Sequence, residues 1–263
     1  MKMFSEIAAV ILGGLVAVSA EEGKPKVELV PAHLATARAL LAAITPETNL
    51  YSASPSRIAW ADEAAPSNRS VCSSFTALLL RKNYGLDDAA AEALFGEAAP
   101  EADEWFAAVR DSGRFERIDR VDAIRPGDFL VIDYRSGKAI PTGHVMLVDG
   151  PPRRVNELDT AKPLPWPRPK ELVDRPLRWD TPRLFEWHVS VIDSSRSPHG
   201  SGDSRHGANA DGSDDDGLGR GDLRLLADIT GRLLGYTWST SARSQIHTTN
   251  ERPLIVGRFR PES

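Results

Sequence analysis

The chain has 263 residues, 41% hydrophobic and 26% charged, enough for one large domain with a substantial core. A formal net charge of −5 and an isoelectric point near 5.7 argue against nucleic acid or anionic membranes as main partners. A single cysteine, Cys72, excludes an internal disulfide framework.

The first residues, Met1-Lys2-Met3, precede an apolar run from Ile7 to Val18 and the small pair Ser19-Ala20. That order reads as a secretory signal peptide over residues 1–20. The run is shorter than the roughly 20 apolar residues of a membrane span, so no integral membrane domain is expected after cleavage. Residues 21–30 then form a linker, and residues 31–263 a single domain exported to the periplasm or beyond the cell. In an exported protein a lone cysteine points to a free reactive thiol or an intermolecular bridge.

Pro31 opens a helix to about Ile44, with Leu34, Ala37, Leu40 and Leu41 on one face and His33 on the surface. Thr45 to Ser67 reads as a loop anchored by Tyr51, Ile58 and Trp60. Val71, Phe75, Leu78 and Leu79 recur at helical spacing, with Asn68 or Ser70 as the expected cap and Lys82 and Gly85 as stop signals. Cys72 falls in the first turn of that helix, where unpaired N–H groups and the dipole favour a thiolate. A cysteine beside a helix stripe is commonly a small core residue, and export is what favours the reactive reading. Two short helices follow, one capped by Leu86-Asp87-Asp88 and running through Leu94-Phe95 to Gly96, the other about Ala102 to Val109.

From there the pattern changes to strands. Phe129–Tyr134 follows the turn Pro126-Gly127-Asp128, and Thr142–Val148 precedes a Pro-rich insertion at 151–182 expected to be irregular. Phe185–Asp193 alternates, placing Trp187, Val189, Val191 and Asp193 on one face. A Gly- and Asp-rich loop spans 194–221; its run Asp211–Gly217 lacks EF-hand spacing, so no metal site is expected. Strands at 223–226, 232–238 and 254–259 complete the chain. Helices first and strands afterwards predict an α+β fold, helices packed on an antiparallel sheet.

A cysteine nucleophile needs a base, and the base needs a third group to orient it. His144 and Asp193 sit on strands that, if adjacent, place both on one face. Cys72-Ser73-x-Phe75 opening a helix, Pro126-Gly127-Asp128 entering a strand and Gly143-His144-Val145 starting the next resemble the NlpC-like branch of the papain-like cysteine peptidases. That branch includes cell-wall endopeptidases and the related CHAP amidases, and the likeness covers about Ser70 to Asp193. The resemblance implies a papain-like fold, with Cys72 as nucleophile, His144 as base and Asp193 as third residue. His188, Ser194 and Ser195 stand as alternatives for the third role. The family's Asp before the cysteine and Gly two places after it are Val71 and Ser74 here. Ser73, Trp60 and Trp238 are the expected substrate-lining residues, and His199 and His206 are read as surface residues. No cofactor motif is present, and the expected partner is a peptide or cell-wall substrate. The leading expectation is a hydrolase of amide bonds. A catalytically degenerate envelope binding protein and a thiol acyltransferase or lipid hydrolase are the alternatives.

Overall fold

A computed structural model of the chain describes residues 30–137, 139–172, 174 and 179–261. The expected signal peptide and the linker up to residue 29 lie outside the described residues.

Helix α1 (Ala32–Ala43) starts behind Pro31 and buries Leu34, Ala37 and Leu40. His33, expected on the surface, is buried with them. Its Nε2–H donates to the Gly127 carbonyl at 2.8 Å and its Nδ1 accepts from the Tyr84 hydroxyl at 2.6 Å. With both nitrogens paired, burial leaves no polar group unsatisfied. The segment expected to be a loop forms a small sheet instead: β1 (Asn49–Tyr51), β2 (Arg57–Ala59) and β3 (Ser67–Ser70), with β1 and β3 parallel. Strands this short, made of Ser, Asn and Arg, lack the β-branched content that marks a strand in sequence.

Helix α2 (Cys72–Tyr84) follows at once. Its cap differs from the expected Asn68 or Ser70. Val71 is the N-cap, and the Ser74 hydroxyl accepts from the Val71 N–H at 3.0 Å. Ser70 and Asn68 are occupied with each other, Ser70 Oγ donating to Asn68 Oδ1 at 2.6 Å. Gly85 ends the helix with φ +67°, as a left-handed stop requires. Helix α3 (Asp88–Phe95) has Asp87 accepting from the Ala90 N–H, and α4 (Ala102–Asp111) buries Trp105 and Val109. Trp105 packs against Phe95, Phe115 and Phe129, tying the helices to the sheet.

Among the described residues nine strands form one antiparallel sheet: β4 (Phe115–Arg117), β5 (Phe129–Asp133), β6 (Gly143–Val148), β7 (Arg153–Asp159), β8 (Arg183–Ser195), β9 (Gly217–Ala227), β10 (Leu233–Thr237), β11 (Ile246–Thr248) and β12 (Leu254–Phe259). The order is β11-β10-β9-β8-β6-β5-β12-β4, with β7 added on β8. β7 corrects the expectation of an irregular insertion. Its largely exposed side chains show no alternation of burial, which hides a strand from sequence reading. The expected 194–221 loop is likewise shortened, since β8 runs to Ser195 and β9 begins at Gly217.

The sheet has a core on each face. Helices α1, α2 and α4 cover one, meeting Phe129, Val131, Val145, Leu147 and Ile192. On the other, Leu130, Ile132, Met146, Val148, Val189, Val191, Leu225 and Tyr236 pack on one another. One face can bury its own strands only by curling. The bridge from Arg120 to Arg232 and the Val121 N–H to Gly231 carbonyl bond draw its far parts together. The fold is α+β, a mostly antiparallel sheet with a few helices. No helix among the described residues is long and apolar enough to cross a membrane.

Candidate active site

Where β6 leaves β8, the α2 N-terminus comes in. The described pairing of β6 with β8 is confined to Leu147–Ile192 and Val148–Val191, and α2 packs on both strands beyond it. The Ser194 hydroxyl fastens this junction by donating to the Ser70 carbonyl at 2.8 Å. Cys72 is thereby delivered to the ends of two strands. By strand parity His144 shares a face with Met146, and Asp193 shares that face with Val191.

His144 Nε2 lies 2.5 Å from Asp193 Oδ2, both side chains buried. Cys72 stands close enough to the same imidazole to act on its charge. Of the three residues expected to form a row, His144 and Asp193 are hydrogen-bonded to each other. The alternatives for the third role are engaged elsewhere. His188 meets Glu186 at 2.9 Å, Ser194 is taken by Ser70, and Ser195 Oγ donates to the Ser197 carbonyl.

The electrostatics suit an ion pair. Burial disfavours a charged His144, but Cys72, then Asp193, outweigh it and raise the imidazole to about 10. Burial would also raise Asp193. The charges of Arg205 and His199, with hydrogen bonds from both histidines, instead hold its carboxyl well below the usual carboxylate range.

Several members of this site were missed in the sequence. His199, read as a surface residue, has its side chain fully buried and lies 3.1 Å from Asp193 Oδ2. Arg205, only 1% exposed, donates to Asp193 Oδ1 at 2.9 Å and to Asp203 at 2.7 Å. The loop between β8 and β9 thus folds under the site. His206 alone matches the surface expectation there, pairing with Asp214 while half exposed. Removing one partner of so buried an ion pair typically costs about 3–5 kcal/mol.

A signal for this cluster was present in Gly217-Leu218-Gly219-Arg220-Gly221, glycines alternating along one strand face. A Cβ at Gly219 would collide with the Arg205 side chain, and one at Gly221 with Asp203 and His199. The missing side chains make a trough in which the polar residues lie on the β9 backbone.

Tyr51 and Tyr134 stand near enough to Cys72 to feel its charge. Burial first, and the Cys72 anion second, push both phenols up, Tyr134 to about 12. Both remain O–H donors. Two residues of the acidic run hold Tyr51 in place: Asp216 Oδ1 accepts from its N–H at 2.8 Å, and Asp215 accepts from Asn49 at 3.0 Å. Exposed Arg196 stands over the Tyr51 ring, 5.6 Å from its centroid.

Of the expected substrate-lining residues, Trp238 is at the site. Its ring stacks on His199 at 4.2 Å and meets His144 at 4.7 Å. Ser73 is buried beside Cys72, and Trp60 packs in the helix-side core. A cleft of about 730 Å³ runs along β10 and β12 and is not lined by Cys72, His144 or Asp193. Of its four arginines, 110, 117 and 232 are each paired with an aspartate and Arg135 donates to the Asn250 carbonyl.

Among the described residues one group of three side chains has atoms close enough for a metal ion: His144, Asp193 and His199, all within 4.8 Å of one another. They fit an ion poorly. A cation would have to displace the 2.5 Å His144–Asp193 bond and share the carboxylate with the Arg205 guanidinium.

No family model matches the chain, and no solved structure matches it. It is similar to an uncharacterized protein of Acanthamoeba polyphaga mimivirus, 29% identical over 190 residues. The alignment spans 72% of this chain and 76% of that protein.

Proposed function

We propose that this protein is an exported thiol hydrolase of the NlpC-like, papain-like kind that opens amide bonds, with cell-wall peptides as substrates. The observation that carries the reading is one imidazole held at 2.5 Å by a buried carboxylate and raised by the neighbouring Cys72, the only cysteine of the chain. The mechanism follows from those contacts. The Cys72 thiolate attacks the amide carbon, and the carbonyl electrons move to oxygen. The Cys72 backbone N–H, in the first turn where no helical partner exists, and the Tyr51 hydroxyl are the donors offered to that oxyanion. His144 gives its Nδ1 proton to the amide nitrogen, the C–N bond breaks, and the amine leaves. His144 then takes a proton from water, whose oxygen displaces sulfur and releases the acid.

Incubation of the purified protein with peptidoglycan in heavy-oxygen water tests this. The expected products are new amine ends matched by new carboxylates, each carrying one heavy oxygen. Acyl transfer to an added amine or alcohol, without the label, would replace hydrolysis by the transferase reading. Binding without any product would leave an envelope binding protein.

A further inference from the structure

Asp193 serves two histidines, and the second has a fixed protonation. His199 Nδ1 lies 2.6 Å from the Trp238 carbonyl oxygen and its Nε2 lies 3.1 Å from Asp193 Oδ2. Carbonyl and carboxylate oxygens only accept, so each ring nitrogen bonds its partner only by donating. In this arrangement the ring carries two protons and a positive charge.

The charged groups facing His199 come from every element around it. Asp193 is on β8, while Asp203, which accepts from the His199 backbone N–H at 2.7 Å, and Arg205 are in the loop. His144 is on β6, with Cys72 of α2 beyond it. Two carboxylates, one guanidinium and the His199 imidazolium balance. Without the His199 charge, the cluster would present a net negative charge to His144.

We infer that His199 is a positioning residue for the proposed reaction: a second imidazolium that fixes the Asp193 oxygen and limits how tightly Asp193 holds the His144 proton. The inference rests on Cys72 and His144 being the nucleophile and base. A base held too strongly cannot return its proton to the leaving amine, so the balance sets the working pH.

NMR of the imidazole nitrogens tests it in the intact protein. At neutral pH both His199 nitrogens are expected to carry a proton. In His199→Gln the amide keeps one donor toward Asp193 but no charge. Loss of a unit charge from a ring whose nitrogen lies within 4.8 Å of that of His144 should then shift His144 proton release upward by about one pH unit or more. A group that merely filled space would leave that release unmoved. A singly protonated His199 overturns the inference, as does an unshifted His144 in folded His199→Gln. Zinc chloride abolishing the Nε2–H signals of both histidines at stoichiometric amounts would also overturn it, in favour of a metal site. Should the variant not fold, the proton count on wild-type His199 decides. Because the readout is a proton and not a product, a protein that fails to cleave peptidoglycan yet shows the shift would lose its proposed substrate while keeping the coupling of His199 to His144.

Discussion

Cys72→Ala should lower kcat/KM for an amide substrate by about 10⁴-fold or more, with little change in the urea midpoint. In the proposed reaction it is the Cys72 sulfur that forms the acyl intermediate. The polar scaffold beneath it does not depend on the sulfur: Asp193, Arg205, Asp203 and His199 remain joined to one another. Losing so small a side chain, 6% exposed, costs roughly 1 kcal/mol of stability. Activity and stability therefore separate in this variant. Peptidoglycan cleavage and urea denaturation on one preparation check both, and retained cleavage would remove Cys72 from the reaction.

Asp193→Asn should impair both properties. The carboxylate accepts from His144, His199 and Arg205, and an amide of the same shape has one oxygen where two are needed. If that oxygen stays with Arg205, the amide N–H₂ faces two histidine nitrogens. His144 then loses its orientation and its imidazolium loses an anion. A fall in kcat/KM of about 10³–10⁴-fold is expected. Arg205, His199 and Asp203 are left in a buried cluster with one anion too few, so stability should fall by about 3–5 kcal/mol. A variant as stable and as active as wild type would mean that Asp193 neither orients His144 nor anchors the loop.

The parts of this site legible in sequence are those with a local pattern. The apolar stripe around Val71 and Phe75 marked α2, and alternation or β-branched content marked the strands of His144 and Asp193. The parts that escaped depend on distant partners. His199 lies six positions beyond Asp193 in a polar loop, and its burial requires Trp238 and the glycines of β9. Tyr51 was legible only as an anchor, since Asp215 and Asp216, which place it, belong to the run read as a flexible loop. Ser74 closes the helix start although Asn68 and Ser70 have the better-known cap chemistry, because those two are committed to one another.

The most direct measurement is the proton release of His144, followed by NMR in wild type and in Cys72→Ala. The folded-state value is raised above the ordinary 6.5. The contribution of His144 protonation to stability is therefore full below about 6.5 and lost as pH rises through about 10. In wild type, His144 should keep its proton through neutral pH and release it near 10, and in Cys72→Ala release should come at lower pH because the neighbouring anion is gone. Release near 6.5 in both proteins would mean that no thiolate faces the ring, and the nucleophile–base pair would not exist.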